Sequence, residues 1–266
     1  MMENVTVMRE QAMQWIKEAS AYIHDSFQSA LTIDTKSNAS DLVTNIDQEV
    51  EKLFINRIRV AYPEHAIVGE EGFGDEIERT DGYVWVIDPI DGTMNFIHQQ
   101  RNFAISLALY IDGKGVFGIV YDVAANDMYY AISGEGAYMN GTKIARVEEG
   151  YLEQAVVSVN ATWLTENRRL DHEKIAQLVR RARGTRSYGC AALEMMYVVT
   201  GKLDAYMTPR LAPWDFAAGA IMANEVGVIA TTLKGEPLSI LHKSGLLIAR
   251  RGVHEDMLTN YIVCKE

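Results

Sequence analysis

Hydrophobic positions in the first part of the chain follow the spacing of amphipathic helices. Between Met8 and Phe27, apolar residues recur at steps of three and four, which predicts a long opening helix with one buried stripe. A second helix is predicted to begin at Thr44, because its hydroxyl can cap the backbone while Asp47 stands three residues later. The buried face expected for this second helix consists of Ile46, Val50, Leu53 and Phe54.

After residue 65 the hydrophobic pattern changes from helical to extended. Short apolar runs at 66–69 and 83–87 end at glycine, proline and acidic residues, which is typical of buried strands. The β-type segments that follow are separated by short polar turns and predict an antiparallel meander; they cover residues 104–110, 115–121 and 127–131.

The second half of the chain alternates between strand-like and helix-like segments, which favours a second α/β layer. We therefore expect an α+β fold in which residues 1–150 carry the antiparallel sheet and residues 151–266 add the α/β layer. No internal repeat or low-complexity linker separates the two halves, so they are predicted to form one rigid unit. The strands expected in the second half lie near 155–159, 186–188, 205–208, 228–232 and 245–249, and the helices near 171–183, 191–200 and 214–225, with one more at the end.

Composition narrows the classes of partner. The chain has 36 acidic and 25 basic residues and a net charge of −11. Affinity for nucleic acid is not expected, because binding to a phosphate backbone needs clustered cations. The acidic surplus suits either an ordinary solvated surface or a protein that binds cations.

Features of export and membrane insertion are also not expected. The N-terminal residues lack the apolar region of a secretory signal, and no apolar run reaches the roughly 18 residues that a membrane span needs. Cys190 and Cys264 are too few for a disulfide framework. We therefore expect a cytoplasmic protein that does not enter a membrane.

The strongest candidate for chemistry directly follows the apolar run at 83–87, where residues 88–93 read DPIDGT. A buried strand delivers its last residues rigidly, and the proline and glycine turn the backbone so that Asp88 and Asp91 can converge with a main-chain carbonyl. Such oxygen ligands suit Mg²⁺. Taken alone, a motif of this kind is more commonly a proline-glycine turn that carries solvated acids.

Two further segments carry acidic residues in similar surroundings. Glu70 and Glu71 follow the apolar run at 66–69, and Asp215 stands at the start of an apolar helix. Taken alone, the two glutamates fit a solvated turn and Asp215 fits a helix N-cap.

Taken together, these segments resemble the inositol monophosphatase family of magnesium-dependent, lithium-sensitive phosphatases. The order and spacing of three separated motifs carry this resemblance, which covers essentially the whole chain. The motifs are GEE at 69–71, DPIDGT at 88–93 followed by Asn95-Phe96, and PWD at 213–215 followed by Ala218-Gly219.

The resemblance implies a layered αβαβα fold, usually dimeric, with two or three Mg²⁺ ions in each active site. By matching positions, Glu70, Asp88 and the carbonyl of Ile90 are expected to hold the first ion. Asp88, Asp91 and Asp215 are expected to hold the second, and Glu70 recurs in a weaker third site. Four clustered carboxylates would repel one another strongly without cations, which agrees with this ligand set.

The resemblance also implies roles in catalysis and in phosphate binding. Thr93 and Glu70 are expected to orient and activate the attacking water, with Asp47 and Thr44 supporting Thr93. The backbone N–H groups of Gly92 and Thr93 are expected to bind the substrate phosphate. A phosphate dianion repels an attacking hydroxide, so such a site must neutralise charge and align the attack.

The substrate side departs from the animal members of the family. These carry a glutamate shortly before the Trp-Asp pair to bind inositol hydroxyls, whereas residues 207–213 contain no acid. Arg210, with Arg183 and Arg186, suggests a pocket that accepts a second anionic group, although arginines at 168–186 can also form a solvated surface. Cys190 is interpreted as a residue of the pocket wall. Lys36 is compatible with phosphate steering or with a polar turn.

The sequence thus predicts a Mg²⁺-dependent hydrolase of small phosphate monoesters, with inositol 1-phosphate and related sugar or polyol phosphates as first candidates. Asp91, Gly92, Thr93, Cys190, Arg210 and Asp215 are the expected substrate contacts, and a homodimer is the expected assembly. The alternative is a phosphatase for bis-anionic substrates such as fructose 1,6-bisphosphate or the 2′-phosphate of NADP. A rival of another class is a non-catalytic module that retains the fold and binds cations.

Overall fold

The computed structural model describes residues 5–27, 32–35 and 42–265. None of the helices in these ranges combines the length and apolar character needed to cross a membrane. The α-helices described are α1 (Val5–Ser26), α2 (Asn45–Ala61), α3 (Thr93–Gln99), α4 (His172–Arg181), α5 (Ala191–Val199), α6 (Pro213–Val226) and α7 (Arg251–Asn260), with short 3-10 helices at Leu152–Gln154 and Ala161–Leu164.

Most of the described strands form two sheets. In the larger sheet the strands lie side by side in the order in which they occur along the chain. Its first two strands pair in parallel, and each later strand pairs antiparallel with the one before it. It contains β3 (Ala66–Gly69), β4 (Tyr83–Asp91), β5 (Ala104–Ile111), β6 (Lys114–Asp122), β7 (Asp127–Ile132), β8 (Gly136–Met139) and β9 (Thr142–Lys143), whereas β1 (Ile33–Thr35) and β2 (Leu42–Thr44) pair with each other.

The smaller sheet is mixed and lies in the second half of the chain. Its order is β11 (Gly184–Arg186), β10 (Val156–Ser158), β12 (Ala205–Leu211), β14 (Ser244–Ala249) and β13 (Ile229–Thr231). The first three of these strands are parallel, and the last two run antiparallel to their neighbours.

Side chains alternate between the two faces of each sheet along its central strands, so each sheet packs against helices on both faces. In β4, Trp85 packs in a core with α1 and α2, whereas Val86 packs on the other face with α5 and α6. In β14, Ile248 belongs to the α5–α6 core, whereas Leu247 faces a third core formed with α4 and α7. The order is therefore helices, sheet, helices, sheet, helices, which confirms the predicted αβαβα arrangement.

The first two helices confirm the predicted pattern with one exception. Thr44 caps α2 by accepting the N–H of Asp47, and the Asp47 side chain accepts the Thr44 N–H in return. Leu53 was expected on the buried face but is only half-buried, whereas Ile58 is fully buried. The reason is helical geometry, because Ile58 follows Phe54 by four residues and continues its stripe.

Strand boundaries differ from the sequence prediction where the chemistry lies. β4 does not stop before the DPIDGT motif but continues to Asp91 through a β-bulge. Between the pairs Asp88–Ser106 and Asp91–Ala104, β4 advances by three residues while β5 advances by two. The strand expected at 186–188 is instead β11, which ends at Arg186, so that Ser187 and Tyr188 belong to the loop after it. The proposed boundary at residue 150 stays a prediction.

Candidate active site

The end of β4 places Asp88 at the centre of the site. The residue is 1% exposed, and its Oδ1 accepts the backbone N–H of Ile90 at 3.1 Å. Its Oδ2 is buried and has no hydrogen-bond donor within the described structure. An unpartnered buried carboxylate oxygen is unfavourable, so this atom indicates a missing partner.

Glu70 and Asp215 approach Asp88 from two other elements. β3 pairs in parallel with β4, with Gly69 opposite Ile87, so Glu70 emerges beside Asp88. Asp215 lies in the first turn of α6 and accepts the N–H of Ala212 at 2.8 Å. Burial first, and then the carboxylates of Glu70, Asp91 and Asp215, raise the pKa of Asp88 well above its usual value.

Asp91 connects this cluster to the second half of the chain. Its Oδ2 accepts the thiol of Cys190 at 3.2 Å and the backbone N–H of Ala192. Burial raises the pKa of Asp91 to about 6, although these two donors act in the opposite direction. Burial also raises the pKa of Asp215 well above its usual value, followed by repulsion from Asp91 and Glu70. The structure therefore brings Glu70, Asp88, Asp91 and Asp215 together.

The chemistry of this cluster fits a hard divalent cation. Among the described residues, no lysine or arginine forms an ion pair with Asp88, Asp91 or Asp215. Carboxylates that face one another can hydrogen-bond only by sharing a proton, whereas a cation would remove their repulsion. In the described ranges, however, no three acidic, histidine or cysteine side chains are arranged to hold a metal ion as they stand.

Thr93 stands between the cluster and a buried acid of α2. Its Oγ1 lies 3.0 Å from both Asp47 Oδ1 and the carbonyl oxygen of Ile90, and its single proton can be donated to either. Asp47 is buried and accepts the Thr44 N–H at 2.9 Å and the Thr44 hydroxyl at 2.5 Å. Burial raises the pKa of Asp47, and the Thr44 and Thr93 hydrogen bonds oppose this increase. Asp47 and Thr44 therefore form the hydrogen bonds that their predicted role, the positioning of Thr93, requires.

Gly92 allows the two halves of the chain to approach closely at this point. It is the N-cap residue before α3 and has φ of 90°, in the left-handed region, and a Cβ there would lie 3.1 Å from the Cβ of Cys190. A side chain at position 92 would therefore both strain the backbone and displace the opposite wall.

A cavity of about 280 Å³ opens beside Asp91. Cys190 and Arg210 line it, as predicted, whereas Arg183 and Arg186 do not. Arg183 directly precedes the edge strand β11 and Arg186 is its last residue, whereas the lining residues Ser187, Gly189 and Cys190 belong to the loop that follows. The lining residues are Asp91, Asn160, Thr162, Trp163, Ser187, Gly189, Cys190, Ala191, Glu194, Tyr206, Met207, Thr208, Arg210 and Leu211.

Two buried glutamates near the site were not predicted. Glu51 of α2 accepts the backbone N–H groups of Glu71 and Phe73 at 2.7 and 3.0 Å, and thus holds the loop that carries Glu70. Glu194 of α5 lines the cavity. Both glutamates lie on the buried, apolar face of their helix, and a charged residue at such a position can be recognised in the sequence as a candidate for a structural or functional role. Lys36, considered for phosphate steering, lies outside the described residues.

Comparison with known proteins agrees with this geometry. The sequence matches the inositol monophosphatase family over residues 4–265. It is 53% identical over 261 residues to the inositol-1-monophosphatase of Bacillus subtilis (strain 168), with 98% of each chain covered.

Solved structures show the same fold. Inositol monophosphatase-II from Staphylococcus aureus MSSA476 has a TM-score of 0.88 and 42% sequence identity, covering 96% of this chain and 93% of that one. An IMPase/NADP phosphatase complexed with Mg²⁺ and phosphate has a TM-score of 0.89 and 30% identity, covering 96% and 95%.

The fold and these likenesses define the protein as a phosphatase, a hydrolase of phosphate esters. The rival interpretation as a non-catalytic module is therefore not retained. The chain belongs to the inositol monophosphatase family. The Mg²⁺ in the IMPase/NADP phosphatase structure is consistent with a divalent metal cofactor in this family.

Proposed function

We propose that this phosphatase hydrolyses small phosphate monoesters with Mg²⁺ as its cofactor, inositol 1-phosphate and related sugar or polyol phosphates being the first candidates. One observation carries the proposal. Asp88 Oδ2 is buried without a donor, at the centre of four carboxylates and close to a cavity for the rest of the substrate. The name of the Bacillus subtilis relative supports the choice of substrate.

In this proposal two or three Mg²⁺ ions would be held by oxygen ligands from three segments of the chain. Glu70, Asp88 and the Ile90 carbonyl form one set, and Asp88, Asp91 and Asp215 form another, with Glu70 shared by a weaker third site. When bound, the ions neutralise the phosphate dianion and make a water more acidic. Asp88 is the ligand common to both sets, which fits its central and buried position.

The side chains of Thr93 and Asp47 orient the water in this proposal. The Thr93 hydroxyl can pass its proton toward Asp47, which the Thr44 hydrogen bonds hold in place. Glu70 acts with Thr93 as the group that accepts a proton from the water. The backbone N–H groups of Gly92 and Thr93 contact the phosphate, because the first N–H groups of a helix have no partner within it.

A second candidate function is the hydrolysis of bis-anionic substrates. Arg210 is exposed, lines the cavity and forms no ion pair among the residues described. A guanidinium in this position can bind a second phosphate group. The name of the IMPase/NADP phosphatase shows that one relative acts on a substrate of this kind.

The test is a panel of substrates at several Mg²⁺ concentrations, measured by phosphate release. Inositol 1-phosphate, fructose 1,6-bisphosphate and NADP are compared by kcat/KM, each with and without a chelator. The proposal expects the highest kcat/KM for the monoester and no release after chelation. Release that persists without divalent metal would reject the metal-dependent mechanism, and a preference for the bisphosphate or NADP would favour the second candidate.

A further inference from the structure

One wall of the cavity is a short loop between β11 and α5, here called the wall segment (Tyr188–Cys190). A side chain from each half of the chain binds it. Glu194 of α5 accepts the N–H of Tyr188 at 2.5 Å and the N–H of Gly189 at 3.3 Å. From the opposite side, Asn95 of α3 donates its Nδ2 to the Tyr188 carbonyl at 2.7 Å.

Both of these side chains are buried and hydrogen-bonded. Glu194 is 4% exposed, and the hydroxyls of Ser158 and Tyr206 lie close to its carboxylate and help to lower its pKa against the effect of burial. Asn95 is 7% exposed, and its amide also donates to the Asn102 carbonyl at 2.8 Å. A buried carboxylate is tolerated only when hydrogen bonds replace water. Although Glu194 lines the cavity, its contacts are therefore those of a support rather than of a substrate ligand.

The wall segment acts on both parts of the active site. Gly189 and Cys190 line the cavity, and the Cys190 thiol donates to Asp91. Gly189 has φ of +77°, and a Cβ there would lie 3.3 Å from Asn95 Nδ2, so the segment fits closely against its support. A shift of the wall segment would widen the cavity and remove a donor from Asp91.

We propose that Glu194 and Asn95 are positioning residues that clamp the wall segment and thereby set the fit of the substrate in the cavity. The proposal deepens the proposed function and relies on it only for the use of a phosphate ester as substrate. Because the wall contacts the substrate before and during the reaction alike, loss of the clamp should weaken binding rather than slow the chemical step.

The test compares Glu194→Ala with Glu194→Gln, which keeps an oxygen acceptor for the two N–H groups. At saturating Mg²⁺, Glu194→Ala should raise KM about tenfold and leave kcat within about threefold, whereas Glu194→Gln should stay within about twofold of the wild type for both. Asn95→Ala removes the other arm of the clamp. Its effect on KM should be smaller in the Glu194→Ala background than in the wild type, because both residues support one segment.

Glu225→Ala is the matched control. Glu225 also accepts two backbone N–H groups, those of Gly134 and Gly136, both at 2.8 Å, but it does not line the cavity. Its loss should lower the melting temperature without changing KM. A general loss of stability would affect both glutamate variants alike, whereas release of the wall segment affects only Glu194→Ala.

A second readout needs no substrate. Cys190 is 1% exposed, so a thiol reagent should label it slowly, with Cys264 as an internal reference. Release of the wall segment should speed Cys190 labelling about tenfold in Glu194→Ala but not in Glu225→Ala. A folded Glu194→Ala protein with wild-type KM and wild-type Cys190 labelling would overturn the clamp. If the wild type hydrolyses no ester, the proposed function fails, and the labelling rates still decide the clamp.

Discussion

The carboxylate cluster and the cavity beside it are built in different ways. The cluster stands at the ends of regular elements: Glu70 follows β3, Asp88 and Asp91 lie in β4, and Asp215 opens α6. The cavity takes much of its lining from irregular segments, including the 3-10 helix at Ala161–Leu164 and the wall segment. Paired strands fix the first region through backbone hydrogen bonds, whereas buried side chains fix the second.

This difference predicts different consequences of mutation. A change in the cluster alters groups that act on the reacting phosphate, so it should reduce turnover. A change at the cavity wall alters the fit of the organic part of the substrate, so it should act on KM and on the choice of substrate. Variants in both regions can separate these two effects.

The largest effect is expected for Asp88→Asn. The substitution removes the charge of the residue that is proposed to be shared by both Mg²⁺ sites, so turnover should fall to about a hundredth or less. The Mg²⁺ concentration for half activation should rise as well. Phosphate release at increasing Mg²⁺ measures both quantities.

Asp122→Asn is the control for this change. Asp122 is also a buried aspartate at the end of a strand, and it accepts the N–H of Ala125 at 3.0 Å. Its replacement should affect stability but leave turnover within about twofold. Activity of Asp88→Asn above a tenth of the wild type would contradict the central role of Asp88.

Thr93→Val should have the second largest effect. Valine keeps the shape of threonine but loses the hydroxyl that lies between Asp47 and the Ile90 carbonyl. Proton transfer by a positioned group commonly contributes about a hundredfold or more, so kcat should fall by about that factor. Thr93→Ser keeps the hydroxyl and should retain most of the activity. Equal kcat for the valine and serine variants would remove Thr93 from the mechanism.

Much of the cluster could be predicted from the sequence, because each ligand stands within a short local motif. The β4 strand and its DPIDGT end lie within one stretch, and Thr44 with Asp47 forms a local capping pair. The roles of Glu51 and Glu194 depend instead on loops that neighbouring strands bring to them. Glu194 contacts Ser158 and Tyr206 only because β10 pairs with β12. Strand pairing across many residues is not encoded in local spacing.

A pH effect on stability should distinguish the cluster from the rest of the molecule. Burial, together with repulsion among the carboxylates, raises the pKa values of Asp88, Asp91 and Asp215, the value for Asp91 being about 6. The folded state therefore binds protons more tightly than the unfolded state. This contribution to stability is complete below pH about 4 and is lost as the pH rises through the raised pKa values.

Thermal unfolding in the presence of a chelator measures this effect. From pH 5 to pH 7 the melting temperature should fall by at least about 5 °C, since each unit of pKa shift corresponds to about 1.4 kcal/mol. Saturating Mg²⁺ should reduce this fall in melting temperature, because the cation replaces the protons. In the presence of the chelator, Asp88→Asn should also reduce the fall. An unchanged melting temperature across this range would show that neither burial nor repulsion raises the pKa values of these carboxylates.

The smallest effect is expected at the cavity, for Arg210→Ala. Arg210 is exposed, and an exposed ion pair contributes about 1 kcal/mol or less, so kcat/KM for fructose 1,6-bisphosphate should fall about fivefold. The value for inositol 1-phosphate should change less than about twofold, and added salt should shrink the difference because it screens exposed charges. Arg186→Ala is the matched control, since Arg186 is also exposed but does not line the cavity. Equal losses on both substrates would mean that Arg210 shapes the cavity without binding a second anion, and the bis-anionic alternative would lose its structural basis.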